Sequence, residues 1–297
     1  MVLKQKLLTL FILFISINVA FSQLTDLARL EYSFIPKTKS EDRYTRFRVF
    51  LNYPIKFNET DYFIIGGEYN NINLDLREDY PFDVNLLSEL HVIDFNLGYT
   101  FKSSKEAKWR WGVNITPRIA STLNSKVNSN DCFINGGIYA IRDKTKDQNV
   151  KKPNRLVVGL SYNTTAGIPF PLPFVNYFRE LNKHWTYSLG VPKSNIKYRF
   201  NDKHVIQAFT SLDGYFANIQ RQITLDGVQN QSTSISLSVA VAGLGYEYFL
   251  TKHLVAYTYT GFTFLFNNAL RDDNRDEIFK LDELNAFYLR TGIRFKI

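Results

Sequence analysis

The feature that most constrains this chain is a two-residue alternation that runs through long segments. In residues 44–57, Phe47, Val49, Leu51, Tyr53, Ile55 and Phe57 share one face, and Arg46, Arg48, Asn52 and Lys56 the other, with Phe50 as the exception. In 91–102, Ile93, Phe95, Leu97, Tyr99 and Phe101 oppose Asp94, Asn96, Gly98 and Thr100. In 109–120, Trp109, Trp111, Val113, Ile115 and Ile119 oppose Arg110, Asn114, Thr116 and Arg118. In 232–242, Ile235, Leu237, Val239 and Val241 oppose Ser234, Ser236 and Ser238. Successive side chains of a strand point to opposite faces, so each segment predicts a strand with one apolar and one polar side. These strands exceed the ~5–6 residues usual in soluble sheets and match the ~10 of a tilted strand crossing a bilayer. The chain has 25 Phe, 18 Tyr and 3 Trp among 297 residues, a composition that suits pleated surfaces. Helical periodicity is confined to one short candidate at 84–90.

The two ends agree with an exported membrane barrel. Lys4 and Lys6 precede an apolar run from Leu7 to Phe21, and Ala20 and Ser22 place small residues before Gln23. This pattern predicts a signal peptide over 1–22, cleaved before Gln23, with a single barrel domain over 23–297. Cleavage removes two lysines from the formal charge of +8. The apolar run is shorter than the ~20 residues of a spanning helix, and no later segment reaches that length. At the other end, Phe287, Leu289, Ile293, Phe295 and Ile297 oppose Tyr288, Arg290, Arg294 and Lys296. The last eight residues carry Arg290, Gly292, Phe295 and Ile297 at polar, glycine, aromatic and apolar places. This resembles the C-terminal insertion signal of outer-membrane barrels. Cys132 is the only cysteine, which excludes an intramolecular disulfide and a cysteine-based zinc site.

Connection lengths alternate as well. Counting back from the C-terminus, 268–283 is long, 251–252 tight, 224–231 long and 201–203 tight. Barrels with periplasmic termini have short inner turns and long outer loops, which places 268–283 outside the cell. The long charged segment 142–154 falls on the inner side and breaks the pattern. The expected fold is an antiparallel transmembrane barrel of about twelve strands, with fourteen as the alternative. The two strands in question, 174–181 and 185–190, lie among Pro169, Pro171, Pro173 and Pro192, and proline cannot donate to a ladder.

The texture of the mature chain resembles the uncharacterised outer-membrane barrels of Bacteroidota-type bacteria that carry a domain of unknown function. The pieces that carry the resemblance are 167–174 (GIPFPLPF), 190–192 (GVP) and the C-terminal signal. It implies a membrane barrel in the bacterial outer membrane. It implies no activity and no catalytic residues.

The presumed lumen face is basic: Arg46, Arg48, Arg110, Arg118, Lys197, Arg199, Arg290 and Arg294 stand on it. Asp94 opposes them, and Glu31, Glu68, Asp213 and Glu247 are further candidate counter-charges. One reading is a pore or solute-binding barrel for a small anionic solute, since one sign of charge in a narrow cleft concentrates the opposite ion. The other is a structural or surface-binding barrel whose lumen is plugged by paired charges. A membrane-embedded hydrolase is a third class. The histidines His91, His184, His204 and His253 lie in no motif with a nucleophile, so no enzyme, cofactor or metal site is assigned. Asp272, Asn274, Asp276 and Glu283 match positions 1, 3, 5 and 12 of a calcium loop, but Glu277 stands where glycine is needed, and a solvated loop is the better reading. Trp109, Trp111, Trp185, Tyr80, Tyr246 and Tyr248 suit interfacial girdles. The expected partners are outer-membrane lipid, lipopolysaccharide and the barrel-assembly machinery. Export removes nucleic acid as a partner.

Overall fold

Long alternating strands must pair edge to edge, and in this chain they pair all the way round. The computed structural model describes residues 26–36, 41–164, 170–225, 231–281 and 286–296. The strands are β1 (Asp26–Pro36), β2 (Arg43–Lys56), β3 (Tyr62–Asp75), β4 (Glu89–Phe101), β5 (Arg110–Ser121), β6 (Cys132–Asp143), β7 (Asn154–Asn163) and β8 (Phe170–Glu180). They continue as β9 (Trp185–Val191), β10 (Lys193–Arg199), β11 (His204–Ile223), β12 (Ser232–Phe249), β13 (Leu254–Arg271), β14 (Glu277–Lys280) and β15 (Phe287–Lys296). Each pairs antiparallel with its sequence neighbours, and β15 joins β13 to β1, so the sheet closes on itself. The short β14 pairs only with the end of β13 and stands outside the ring. The barrel wall therefore has fourteen strands rather than twelve. The two strands that proline cast in doubt, β8 and β9, are both in the wall.

Four tight turns share one device. A side-chain oxygen accepts two successive amides that lead into the next strand: Asn58 from Thr60 and Asp61, Asn182 from His184 and Trp185, Asn201 from Lys203 and His204, and Thr251 from His253 and Leu254. Such side chains mimic a backbone turn. These turns lie at the end where β1 starts and β15 finishes, with 102–109 and 144–153 beside them. The exception at 142–154 is thus a long connection on the tight side. The opposite, far end carries the longer connections, except that Pro192 alone separates β9 from β10. There, 84–87 forms one 3-10 turn capped by Asp83, shorter than a helix over 84–90.

The outer surface of the wall is apolar, with Leu51, Phe95, Ile115, Ile134, Ile138, Leu244 and Phe262 turned outward and exposed. On β12 the phase is the reverse of that expected. Ile235, Leu237, Val239 and Val241 are buried and face inward. The reason lies in β11 and β12, which continue beyond their neighbours and bend into the far mouth. Phe216, on the face of β11 that would point outward, packs edge-on to Phe133 at 5.6 Å between ring centres. At its tip β11 meets β5 across the mouth, where the Thr122 amide donates to the Asn218 carbonyl at 3.2 Å. Around this fold-over, Leu87, Leu90, Tyr215, Ile219, Ile223, Ile235 and Leu270 form an apolar plug. Full burial of one such side chain is worth roughly 1.5–3 kcal/mol. Tyr80 belongs to this end too: it donates to Asp42 at 2.6 Å and packs on Phe82 and Phe279, so it is no girdle residue.

Candidate functional site

Below the plug, the inward polar face of each strand meets the others across the lumen. Asp213 of β11 receives both Nη atoms of Arg46 from β2, at 3.0 and 2.8 Å, and Arg290 of β15 at 2.7 Å. Glu31 of β1 accepts the Tyr257 hydroxyl at 2.7 Å, with Arg290 at 3.6 Å and Arg48 at 3.8 Å. Arg48 also holds Glu68 at 2.7 Å. Nearer the termini, Glu247 binds Lys197 at 2.7 Å, Arg294 at 2.8 Å and the Tyr259 hydroxyl at 2.9 Å. Arg294 reaches Asp26 at 3.8 Å, and Asp26 pairs with Arg29. Arg118 is held bidentate by Asp94 at 2.6 and 2.7 Å and donates to Thr164 at 2.5 Å. Buried charges require such partners, because an isolated ion in a low-dielectric interior costs several kcal/mol.

Six of the eight lumen cations read from the sequence thus enter ion pairs. Arg110 and Arg199 stand at the terminal rim instead. Arg110 donates to the Thr60 carbonyl and lies over the Tyr62 ring, while Arg199 lies over Phe249. All four candidate counter-charges, Glu31, Glu68, Asp213 and Glu247, face inward and are paired. Sequence reasoning missed Lys193, whose ammonium sits 5.9 Å from the Phe209 ring centre and 5.4 Å from that of Tyr259. It shares the inward row of β10 with Lys197, which was the available signal. Arg290, Gly292 and Phe295 of the insertion signal lie on β15. Ile297 and the cleavage residues Ala20, Ser22 and Gln23 lie outside the described residues.

Between the charge network and the β4–β7 wall is a cavity of about 360 Å³. Arg46, Arg48 and Arg118 line it together with Glu68, Asp94 and Asp213, so its formal charges match. The rest of the lining is rich in asparagine: Asn52, Asn70, Asn96, Asn114, Asn135 and Asn163.

The histidines are placed at the two rims. His91 meets the Tyr69 hydroxyl at 2.9 Å, and His204 that of Tyr246 at 2.6 Å. His184 and His253 meet the Arg199 and Lys296 carbonyls at 2.8 and 3.0 Å. In the 272–283 segment, Asp272 accepts the amides of Asn274 and Asp276, both at 2.9 Å, so this carboxylate closes its own turn. Glu283 lies outside the described residues.

The plug is latched from outside by Asp131, in the loop between β5 and β6. Its carboxylate accepts Asn218 and Gln220 of the β11 tip, both at 2.8 Å, and the Asn128 amide at 2.8 Å. Burial pushes the Asp131 pKa up, but hydrogen bonds from Ser121, Asn128, Asn218 and Gln220 outweigh it and hold the group below the ordinary range. A depressed carboxylate stabilises the fold above its unfolded pKa of ~3.9 and loses that contribution as pH falls through the lower folded value. The protection factors of the 217–223 amides, measured against intrinsic exchange, should therefore be flat from neutral pH down to about 5 and fall only below about 4. Asp131→Asn should lower protection to the acid-limit level across the neutral range and so flatten the profile. An unchanged acid limb in that variant would contradict the latch.

A closed antiparallel barrel with an apolar outer belt and a charged interior defines a membrane β-barrel. The chain belongs to the family described as Domain of unknown function (DUF6268), whose model matches residues 34–296. No curated protein is significantly similar in sequence. Among solved structures, the KdgM porin is similar at 9 % identity and a TM-score of 0.37, over 91 % of this chain and 98 % of that one. The TodX monoaromatic hydrocarbon channel, as its deltaS2S3 mutant, is similar at 9 % identity and a TM-score of 0.40, over 95 % and 92 %. Outer membrane phospholipase A from Escherichia coli is similar at 12 % identity and a TM-score of 0.35, over 93 % and 99 %. Likeness of this degree does not choose between pore, binding barrel and hydrolase.

Proposed function

We propose that the chain is an outer-membrane barrel that holds a small solute in its internal chamber and is closed to free diffusion. The observation that carries this reading is the obstructed interior: an apolar plug in the far mouth above a chamber whose lining cations are paired with carboxylates. An open, anion-selecting pore needs unpaired cations along a water path. Here the chamber's cations are matched by carboxylates, which favours a neutral polar solute over the acidic one that the basic face suggested.

In this reading the terminal end faces the periplasm and the plug faces the outside of a Bacteroidota-type cell. Residues 1–22 direct export, the barrel-assembly machinery inserts the chain through β15, and lipid with lipopolysaccharide surrounds the belt. We read the barrel as non-enzymatic, since its histidines are engaged at the rims by tyrosine hydroxyls and backbone carbonyls. Liposome swelling tests the closure. Vesicles carrying the refolded protein should swell in small sugars no faster than empty vesicles. Swelling at the rate given by a general porin would contradict the proposal.

A further inference from the structure

The wall of this barrel is uneven. Strands β9 and β10 have 7 residues each, whereas β11 has 20 and β12 has 18. The last β8–β9 pair is Val175 with Val191, and β10 ends its pairing with β11 at Lys193 and Ser211. One more bond follows, from the Leu212 amide to the Pro192 carbonyl at 2.8 Å. Beyond it, among the described residues, β8 and β11 have no strand between them until the β11 tip meets β5.

The exposed edge of β8 is built for this. Gly190 has φ +152°, and a Cβ there would collide with the Val175 carbonyl oxygen, so that carbonyl faces β9. Backbone groups two residues apart face the same side of a strand, so Pro173 and Pro171 face the edge that no described strand occupies. Proline presents no amide donor, which keeps an unpaired edge from recruiting another strand.

The gap lies within the apolar belt. On one side, Leu212 pairs with Ala240 and Ala240 with Phe264, which is exposed on the outer surface. On the other, Pro173 pairs with Leu160, Leu160 with Ile138 and Ile138 with Val113, all three exposed outward. A mainly apolar pocket of 180 Å³ occupies the opening, lined by Leu172, Pro173, Phe174, Val191, Pro192 and Leu212. It shares Tyr139, Ser161 and Asn163 with the asparagine-rich chamber. In that chamber the Asn114 Oδ1 is buried without a donor.

We infer that the gap between β8 and β11 is a lateral entrance from the outer leaflet into the chamber, and that its ligand is a single-chain amphiphile with a neutral, hydroxyl- or amide-bearing head. This rests on the closed, solute-holding reading of the barrel. The apolar pocket takes the chain. The asparagines take the head, with Asn114 accepting a hydroxyl. A neutral head is specified because the chamber's charges already match, so an added carboxylate would compete with Asp94, Asp213 and Glu68 for their arginines.

The test is photo-crosslinking in lipid nanodiscs with 1-decanoylglycerol carrying a diazirine on the acyl chain close to its ester end, mapped by peptide mass spectrometry. Label is expected at Leu172, Phe174 and Leu212, and at Ser161 and Asn163 inside. Leu212→Trp should lower the inner label about tenfold and leave label on the outward Leu160 unchanged. Leu172→Trp provides a second block, and heat-modifiable gel migration shows that each variant is folded. Inner label that persists in both folded variants, or wild-type label on outward residues alone, would overturn the entrance. Equal inner label from the matching decanoic acid probe would overturn the neutral head. Ion conductance by the wild-type barrel would defeat the closed reading, while a window-dependent inner label would still uphold the entrance.

Discussion

Replacing Asp213 by alanine should destabilise the barrel by about 3–5 kcal/mol, the usual cost of removing one partner of a buried ion pair. This carboxylate is the meeting point of three strands distant in sequence. It holds Arg46 through two hydrogen bonds and Arg290 through a third, and both guanidinium groups are largely buried. Without it, two cations face each other in a low-dielectric interior with only Glu31 beside them. Asp213→Asn keeps the shape and an acceptor but loses the charge, so it should fall between wild type and alanine. Urea unfolding in lipid bilayers, followed by heat-modifiable migration, reads the difference. A loss below about 1 kcal/mol, the level of an exposed pair, would show that the network is solvated and not buried beneath the plug.

The second large effect is a change of kind. Tyr215 and Leu237 are directly paired across β11 and β12. Deleting 216–236 and joining these two residues through Asn-Gly should restore a tight hairpin at that level, since this dipeptide favours the type I′ turn. The deletion removes Ile219, Ile223 and Ile235 from the plug, the Phe216 contact to Phe133, and the Asn218 and Gln220 contacts to Asp131. It leaves Asp213 and the ion pairs around it intact. The shortened barrel should fold and should pass ions, because what remains at the mouth no longer spans it. A folded deletion variant as impermeable as wild type would mean that the charge network alone closes the lumen.

Much of the barrel was legible because alternation and turn chemistry are local. The inward and outward rows of β2, β4, β5 and β15 follow from period two alone, and tight turns such as 201–203 follow from Asn201 and its neighbours. Strand number was harder. Pro171 and Pro173 argue against a ladder, and they do face an edge that no described strand occupies, but β8 still pairs through its other edge with β7 along ten residue pairs. One-sided pairing is a tertiary fact that a proline count cannot reveal. The phase of β12 failed for a related reason. Ile235 and Leu237 look like lipid-facing residues until β11 and β12 bend inward, when the inner row becomes the core of a plug. Some charge pairing was readable in principle. Asp94 and Arg118 stand directly opposite across one hairpin, as do Glu31 and Arg48. The meeting of Arg46, Asp213 and Arg290 was not, since it depends on the closure of the ring.

Single-channel recording in planar bilayers tests the central claim most directly. Wild-type protein, inserted and folded, should give no steady ohmic steps in either polarity, while the 216–236 deletion should give them. Stable, voltage-independent openings by the wild-type chain would contradict a lumen closed by the apolar plug.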